Sequence, residues 1–581
     1  MSQKTYKVRN HKKTEHFYTL TDNVGEYLDL MASHEGRTMF VWKEKGERHE
    51  ITYGEFADTV KRLSMGLRQV AGGQVTAGED GERVRIAVIG ETSPRWFASY
   101  LAVMAAGYTV VPMDKELALS EISRFMAFAG ISAVVYAPSF NESMEEIAAG
   151  HPTLRLLIPM AAPETEAAEG RIRRISFDEL AELGGESAAE FTADTDTERV
   201  AELLFTSGTT GTSKCVMLCQ RNIFTAMKAA CMSVDFNKDD VLISVLPLHH
   251  TYELTCTYMA GCNFGLTICI NESLRYLMRD FKEYRPTGMV LVPLFVTTMY
   301  KKVLAEAKKA GKDKILAGAT KAAHALSFLG VDMSRKLFGD VREAFGGRLE
   351  KIICGGAALN PELIQIFETF GISIYEGYGI TECSPLVAVT PYYRRKPGTV
   401  GPAVPGCEAR IADGAENENG LYVGEIQVKG ENVMLGYMNN EEANATAFTE
   451  DGWYRTGDMG YMDADGYIAI TGRMKSVIVL DNGKNVFPEE IEEYLSDIEL
   501  IAEAVVVGRE EEDGVVLTAV IYPNYAKFPE KAEADFRDEI QKQITALNKK
   551  LPSFKQIRKL EFRKTEFEKT TTRKIKRHLV K

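Results

Sequence analysis

Hydrophobic positions in the first two thirds of the chain form short continuous runs that alternate with helical patterns. Three such runs are VRIAVIG, YTVVPMD and ISAVVYA, and the stretches between them, RWFASYLAVMAAG and EISRFMAFAG, place apolar residues at helical spacing. Strands that are apolar on both faces and joined by amphipathic helices are typical of βαβ units in a parallel sheet. The same alternation returns in AELLFTSG, VLISVLPL, GLTICI and LEKIICGG, and MVLVPLFV (289–296) is predicted to be a core strand. The pattern therefore predicts two βαβ-type sheets.

The pattern changes after about residue 397, where short strands such as EIQVKG and GYIAITG stand among Gly, Asp and Asn turns. This texture predicts a small β-barrel-like unit over about 397–472. Beyond GRMKS (472–476), a helix at PEEIEEYL, strands at IAEAVVVG and VVLTAVIY, and an amphipathic helix near 535–550 predict a compact α+β unit. We therefore expect an α/β protein with a large N-terminal domain over 1–473 and a small mobile C-terminal domain over 474–581.

Composition narrows the function classes. At 581 residues the chain suggests two or more domains, and its net charge of −13 argues against nucleic-acid binding, which needs a basic surface. The nine cysteines contain no C-x-x-C pair and indicate reduced thiols rather than a disulfide framework. The start of the chain lacks the apolar stretch of a secretory signal, and no apolar run approaches the ~20 residues needed to cross a bilayer. We therefore expect a cytoplasmic protein.

A loop rich in glycine and hydroxyl groups, TSGTTGTSK (206–214), follows the apolar strand AELLF. Its glycines allow a sharp turn that offers backbone N–H groups to an anion, and Lys214 adds charge. The Walker template fails here: when it starts at Gly208, Ser213 replaces the second glycine and Cys215 replaces the metal-binding Ser or Thr. On these residues alone, the loop either holds phosphate in another way or is a flexible surface loop; the residues that would hold phosphate are Thr206, Ser207, Gly208, Thr209, Thr210, Gly211 and Lys214.

The stretch LLFTSGTTGTSKCVMLCQRN resembles the signature of the adenylate-forming superfamily, which includes acyl-CoA synthetases, luciferases and peptide-synthetase adenylation domains. Further blocks follow in that family's order: LPLHHTYE (246–253), YEGYGITE (375–382), GWYRTGD (452–458), GRMKS (472–476) and KTTTRKIKR (569–577). The resemblance implies that a carboxylate attacks the α-phosphate of ATP, giving an acyl-adenylate and pyrophosphate, and that a thiol then displaces AMP. Such chemistry depends mainly on positioning and on neutralising charge.

The resemblance also implies roles for individual residues in nucleotide binding. Tyr378 would pack on adenine, Thr381 would bond the α-phosphate, and Glu382 would hold Mg²⁺. Asp458 would accept the ribose hydroxyls with help from Arg473. The remaining residues that the resemblance implies for ATP or AMP binding are Gly356, Ala357, Glu376, Gly377 and Gly379.

Catalytic roles are implied for Lys574, Thr206, Glu382 and His250. Lys574 matches a lysine that spans the carboxylate and α-phosphate oxygens, although Glu568 and Arg573 depart from the family's Pro and Gly in this tail. His250 matches a position that guards the acyl site. Lys475 matches the family's hinge, about which the C-terminal domain would rotate between the two half-reactions, and the predicted CoA-binding residues are Gly483, Lys484 and Asn485.

Two segments favour a fatty acid as the substrate. LPLHHTYE, which ends at Glu253, and VPLFVTTMYKKVLAEAKKAGK look more like bacterial long-chain fatty acyl-CoA synthetases than peptide-synthetase modules. The implied co-substrates and cofactor are ATP, CoA and Mg²⁺. Several alternatives stay open: an acyl carrier protein as acceptor, an aryl or other acid, a luciferase-like oxygenase and a non-catalytic nucleotide-binding regulator. Chain length, peripheral membrane contact and oligomeric state are left open as well.

Overall fold

A computed structural model describes residues 5–9, 15–74, 84–161, 172–206, 213–327, 334–416, 420–480, 485–511, 514–569 and 575–580. The chain divides into two compact units. The first comprises residues 1–206, 214–408 and 429–447, and the second comprises residues 207–213, 409–428 and 448–581. Among the described residues, no helix has both the length and the apolar character needed to span a membrane.

The strands are numbered in chain order. They are β1 (Thr5–Arg9), β2 (Glu15–Thr19), β3 (Thr38–Glu44), β4 (Glu47–Thr52), β5 (Arg85–Ile89), β6 (Thr109–Met113), β7 (Ala133–Tyr136), β8 (Leu156–Pro159), β9 (Arg173–Arg174), β10 (Val200–Thr206), β11 (Lys214–Cys219), β12 (Val241–Ser244), β13 (Thr267–Ile270), β14 (Gly288–Leu291), β15 (Lys351–Gly355), β16 (Ser373–Gly379), β17 (Leu386–Val389), β18 (Cys407–Glu416), β19 (Tyr422–Gly430), β20 (Gly436–Tyr437), β21 (Tyr454–Met462), β22 (Ile468–Arg473), β23 (Ile478–Val479), β24 (Asn485–Val486), β25 (Ile501–Glu511), β26 (Gly514–Pro523) and β27 (Lys559–Phe562).

The α-helices are numbered in the same way. They are α1 (Val24–Ser33), α2 (Tyr53–Gln74), α3 (Pro94–Ala105), α4 (Leu119–Phe128), α5 (Asn141–Gly150), α6 (Phe177–Gly185), α7 (Gln220–Ser233), α8 (Thr251–Glu253), α9 (Ala260–Phe264), α10 (Leu277–Tyr284), α11 (Pro293–Lys309), α12 (Asp313–Ser327), α13 (Ser334–Leu337), α14 (Gly339–Ala344), α15 (Pro361–Thr369), α16 (Glu441–Ala447), α17 (Pro488–Ser496) and α18 (Glu533–Asn548). A π-helical segment, Leu254–Met259, joins α8 to α9.

The first unit contains two eight-stranded sheets. One has the order β20-β11-β10-β6-β5-β7-β8-β9, and the other has the order β17-β16-β15-β14-β12-β13-β3-β4. Pairing is parallel from β10 through β9 in the first sheet and from β16 through β3 in the second, whereas the strands beyond those limits pair antiparallel. Strands β6, β7 and β8 are buried along their whole length. The predicted pair of βαβ-type sheets is confirmed.

One predicted strand is wrong in its second half. MVLVPLFV was expected to form a single core strand, but β14 ends at Leu291 and α11 begins at Pro293. Proline has no N–H to donate to a sheet ladder, whereas it fits the first position of a helix. The apolar residues that follow, Val296, Met299 and Val303, are buried at helical spacing.

The second unit is built on β-strands that occur late in the chain. A four-stranded sheet has the order β18-β19-β21-β22, and a three-stranded sheet has the order β25-β26-β27. Helices α17 and α18 supply apolar side chains to the core beside β25 and β26, among them Ile491, Leu495, Phe536 and Ile540. The predicted helix at PEEIEEYL and the strands around IAEAVVVG and VVLTAVIY are confirmed. The predicted boundary near residue 473 stays a prediction.

Candidate active site

The sequence blocks of the first unit meet at one edge of its second sheet. Strands β12, β14, β15 and β16 are parallel neighbours, and they end at Ser244, Leu291, Gly355 and Gly379. In open α/β sheets, ligands bind outside the carboxyl ends of the parallel strands. This edge is therefore the candidate active site of the first unit.

Small residues allow close packing within this edge. Gly355 pairs with Gly377 on the neighbouring strand, and a Cβ at Gly355 would lie 2.9 Å from the Gly377 carbonyl oxygen. Gly356 adopts a φ of 85°, a left-handed conformation that favours glycine. Gly356 and Ala357 are exposed, whereas Glu376 is buried. The Gly356–Ala357 turn after β15 is therefore the exposed part of this segment.

The YGITE block forms a tight turn that hydrogen bonds hold in place. Tyr378 is buried near the end of β16, and Thr381–Cys383 form one 3₁₀ turn. The Ser384 hydroxyl donates to the carbonyl of Asn432 at 3.0 Å, and the Thr255 hydroxyl donates to the carbonyl of Ser384 at 3.1 Å. The position of Glu382 is therefore fixed by segments that lie far apart in the sequence.

Glu382 belongs to a cluster that also contains Tyr437 and Lys214. The Tyr437 hydroxyl donates to Glu382 Oε1 at 2.9 Å, and Lys214 Nζ lies 4.3 Å from the centre of the Tyr437 ring. Tyr437 is held in turn by Asn444, whose amide oxygen accepts from the Tyr437 N–H at 2.7 Å. A carboxylate and an ammonium group are thus positioned by one buried phenol.

The glycine-rich loop connects Thr206, the last residue of β10, to Lys214, the first residue of β11. These two residues pair across β10 and β11, and the Thr206 hydroxyl donates to the Lys214 carbonyl at 3.4 Å. The chain runs directly from the loop into β11, so Lys214 is fixed on a sheet strand. The loop residues Ser207, Gly208, Thr209, Thr210 and Gly211 lie outside the described residues.

The LPLHHTYE block lies beside the ends of β14 and β15. His250 precedes α8 and is half-buried, and its ring centre lies 4.1 Å from that of His249. The Tyr252 hydroxyl lies 3.3 Å from the carbonyl oxygen of Leu291 and 3.1 Å from that of Ile353. Tyr252 therefore ties this block to the two strands at the candidate site.

Glu253 is a fully buried carboxyl group in the same block. It accepts hydrogen bonds from the Ser244 hydroxyl at 2.6 Å and from the Thr257 hydroxyl at 2.9 Å. Burial raises the pKa of Glu253 to about 7, and these hydrogen bonds oppose that rise. The side chain lies at the junction of α8 and the π-helical segment, so it fixes the backbone next to His250 and Tyr252.

A small apolar pocket lies in the first unit, near the ends of β15 and β16. Tyr252 of the LPLHHTYE block, Cys256 of the π-helical segment and Gly377 of β16 line it. The remaining lining residues are mainly apolar side chains: Ala230, Ser233, Val234, Phe236, Leu242, Ala260, Gly261, Phe264, Ile353, Leu386 and Val389.

In the second unit, the structure brings Asp458 and Arg473 together. They are cross-strand partners on β21 and β22, and Arg473 Nε lies 2.7 Å from Asp458 Oδ1. The Asp458 N–H donates to the Thr456 hydroxyl at 3.0 Å, and the Asp458 carboxylate is buried. Lys475 follows in an exposed 3₁₀ turn, Met474–Ser476.

The remaining predicted residues fall where the structure gives little or no description. Gly483, Lys484 and Lys574 lie outside the described residues. Asn485 begins the short strand β24, which pairs with β23. The predicted roles of these four residues therefore stay predictions.

Comparison with known proteins decides the family. A model of the AMP-binding enzyme family matches residues 29–438, and a model of the AMP-binding enzyme C-terminal domain matches residues 475–581. The chain belongs to the AMP-binding enzyme family. Its fold, a large domain rich in parallel sheets with a smaller C-terminal domain, is the one found in solved AMP-binding enzymes.

Several known proteins are similar to this AMP-binding enzyme over most of its length. The long-chain-fatty-acid–CoA ligase FadD15 from Mycobacterium bovis is 31% identical over 482 residues, which are 79% of this chain and 75% of the relative. The long-chain-fatty-acid–[acyl-carrier-protein] ligase AEE15 from Arabidopsis thaliana is 28% identical over 543 residues, with coverage of 82% and 72%. The ATP-bound structure of MatB from Rhodopseudomonas palustris has a TM-score of 0.72 and 26% identity, and covers 96% of this chain and 98% of MatB.

Sequence reasoning missed one residue of this AMP-binding enzyme's candidate site. Tyr437 links Lys214 and Glu382, but it stands on a two-residue strand, which is too short for a hydrophobic pattern. The local sequence, LGYMNN, offers one signal, the Asn pair after Met438, which is typical of a turn. The structure places Asn439 in such a turn, with a φ of 49°.

Proposed function

We propose that this enzyme activates a medium- or long-chain fatty acid with ATP and transfers the acyl group to CoA. In the first step a carboxylate oxygen attacks the α-phosphorus, and the bond to pyrophosphate breaks. In the second step the CoA thiolate attacks the acyl carbonyl, and AMP leaves. The overall products are acyl-CoA, AMP and pyrophosphate, which makes the protein an acid–thiol ligase.

The observation that carries this proposal is the cluster of Lys214, Tyr437 and Glu382. A fixed cation and a fixed carboxylate suit a nucleotide triphosphate and its metal ion. The relative at 31% identity carries the name of a long-chain-fatty-acid–CoA ligase, which supports CoA as the acceptor rather than a carrier protein.

We further propose Mg²⁺ as the cofactor, held by Glu382 together with substrate phosphates. Mg²⁺ is commonly bound through one or two carboxylates plus phosphate oxygens. Glu382 fits this use because Tyr437 occupies Oε1, while no hydrogen bond from another described residue reaches Oε2. Within the described ranges, no group of three or more His, Cys, Asp or Glu residues is placed to hold a metal by itself. When bound, the ion would offset the negative charge on the phosphates.

The other site residues are proposed in the roles that the family resemblance implies. Asp458 would accept the ribose hydroxyls, and Arg473 would assist it. Tyr378 would pack on adenine, and His250 would guard the acyl site. Lys574 would act in adenylation after rotation about Lys475. A cytoplasmic location is proposed as well, because all nine cysteines are free thiols.

A pyrophosphate-release screen tests the proposal. Purified protein with ATP and Mg²⁺ should release pyrophosphate with C8–C18 fatty acids, and added CoA should yield acyl-CoA and AMP. Aryl acids and amino acids serve as matched alternatives. Release of ADP and phosphate would contradict the adenylate mechanism, and activity confined to aryl acids would contradict the fatty-acid assignment.

A further inference from the structure

Helices α11 and α12 carry an exposed surface that the ligase site does not use. Helix α11 buries Val296, Met299 and Val303 along one stripe. Leu294, Lys301 and Lys308 lie seven residues apart on the opposite face, and all three are exposed. The exposed fraction of Leu294 is 58%, which is high for a leucine.

Helix α12 carries a similar set of exposed side chains. Leu316 and Ala323 face inward, whereas Lys314, Ile315 and Lys321 are exposed, with 67% exposure at Ile315. We call the set Leu294, Lys301, Lys308, Lys314, Ile315 and Lys321 the α11–α12 face. It combines four lysines with two exposed apolar side chains, and Leu304 on α11 is exposed as well.

The charge of this segment is opposite to that of the whole chain. Residues 293–327 contain seven lysines, no arginine and two acidic residues, an excess of five positive charges in a chain whose net charge is −13. Lys309 pairs with Glu306, and Lys312 pairs with Asp340. The other five form no ion pair with any described residue; they are Lys301, Lys302, Lys308, Lys314 and Lys321.

The face begins at the rim of the candidate site. Helix α11 follows β14 after a single residue, Val292, and the Tyr252 hydroxyl contacts the carbonyl of Leu291. A Cβ placed on Gly356 would lie 3.6 Å from Val292 Cγ1. Leu294 is therefore an exposed apolar side chain within the first turn of a helix that starts beside the site.

We propose that the α11–α12 face docks the enzyme onto an anionic lipid bilayer. Unpaired lysines around exposed leucine and isoleucine side chains are typical of helices that lie in a membrane interface. A protein partner would favour arginine forks for its carboxylates, and residues 293–327 contain no arginine. The α11–α12 face lies outside the Lys214–Tyr437–Glu382 cluster. Its use in delivering lipid substrates to the enzyme rests on the proposed function.

Vesicle co-sedimentation of the full-length protein tests the proposal without ATP or turnover. The probes are vesicles of phosphatidylglycerol and phosphatidylcholine in equal parts, and vesicles of phosphatidylcholine alone. The protein should sediment with the anionic vesicles and dissociate as salt is raised. Replacing two lysines of this kind removes a factor of about 30 in binding, so Lys301→Glu with Lys308→Glu should weaken binding at least that much.

A matched control carries the same change of charge elsewhere. Lys542 and Lys549 are exposed on α18 and at its end, and form no ion pair with a described residue. Lys542→Glu with Lys549→Glu should bind anionic vesicles nearly as wild type does. Leu294→Gln with Ile315→Gln should also weaken binding, and the binding that remains should depend more steeply on salt. Pyrophosphate release with octanoate, which is water-soluble, should survive in all three variants.

Three results would overturn the proposal. Equal binding to both kinds of vesicle would remove the role of charge. Equal loss in the two lysine variants would show a response to net charge rather than to this face. Binding to a short RNA or to an acidic protein, with anionic vesicles ignored, would assign the face to another partner. Failure of the ligase prediction would leave these sedimentation results unaffected.

Discussion

Glu382 and Asp458 are both carboxylates predicted to contact ATP, yet the structure gives them different partners. Glu382 accepts a hydrogen bond from the neutral phenol of Tyr437 at 2.9 Å, so its charge is not neutralised by that partner. Asp458 is buried and paired with the Arg473 guanidinium at 2.7 Å. A carboxylate whose charge is not offset by its partner suits a cation. A carboxylate whose charge is offset by a guanidinium group suits neutral hydroxyl groups. The partner of each carboxylate, rather than the residue type, separates the two proposed roles.

The largest effect is expected from Glu382→Gln, which removes the charge and preserves the shape. Fatty-acid-dependent pyrophosphate release should fall about 10²–10³-fold, as for the loss of one preorganised charge-stabilising group. Raising the Mg²⁺ concentration should recover part of the loss, because the variant binds the ion less tightly. Measurement of initial rates over a Mg²⁺ titration checks this. Wild-type rates at low Mg²⁺ would exclude Glu382 as the metal ligand.

A smaller effect, on ATP affinity, is expected from Asp458→Asn. Hydrogen bonds to a charged acceptor contribute about 1.5–3 kcal/mol, so KM for ATP should rise about 10- to 100-fold while kcat changes less. Arg473→Gln, which removes only the pairing cation, should raise KM less. Steady-state kinetics with ATP and 2′-deoxy-ATP give the comparison. If Asp458→Asn discriminates between the two nucleotides as wild type does, the ribose assignment fails.

Tyr437→Phe tests the hydrogen-bond partner of Glu382 rather than Glu382 itself. It removes one hydrogen bond to the Glu382 carboxylate and keeps the ring beneath Lys214. A hydrogen bond to a charged acceptor contributes about 1.5–3 kcal/mol. Because this bond positions Glu382 rather than contacting substrate, only part of that energy should appear in the rate of pyrophosphate release, which should fall about 10-fold. Tyr422→Phe, on an exposed tyrosine of the second unit, is the control and should leave the rate unchanged. A loss as large as that of Glu382→Gln would mean that the phenol itself contacts substrate.

A third carboxyl group, Glu253, is buried, and no ligand contact is proposed for it. Burial raises its pKa to about 7 and that of Glu202 to about 8, so the folded state binds these protons more tightly than the unfolded state. The free energy of unfolding should therefore fall as pH rises from about 5 through 8. In Glu253→Gln the total fall in the free energy of unfolding between these pH values should be smaller by about 1–3 kcal/mol, while the contribution of Glu202 persists.

Tryptophan fluorescence in a Trp453→Phe background checks the pH prediction. Trp42 and Trp96 then report on the first unit, which contains Glu253. Urea unfolding at pH 5 and pH 8 should show a smaller difference in Glu253→Gln than in the parent. Equal differences in the two proteins would show that Glu253 does not change its proton affinity on folding.

The sequence predicts local features of the site better than the links between them. The YGITE turn, Asp458 and Arg473 each stand in a continuous block that resembles the family's pattern, so the resemblance was sufficient to find them. The bond between Glu382 and Tyr437 joins residues 55 positions apart, one of them on a two-residue strand. The misassigned end of MVLVPLFV has another cause: a short apolar run fits a strand and a buried helix face equally well, and Pro293 decides between them.

The central claim, activation through an acyl-adenylate, is tested most directly by isotope transfer. The enzyme is incubated with ATP, Mg²⁺, CoA and palmitate that carries ¹⁸O in both carboxylate oxygens. Attack of a carboxylate oxygen on the α-phosphorus should leave one ¹⁸O in the AMP product, seen by mass spectrometry, with acyl-CoA formed in equal amount. AMP without ¹⁸O, or ¹⁸O in released phosphate alongside ADP, would contradict the account.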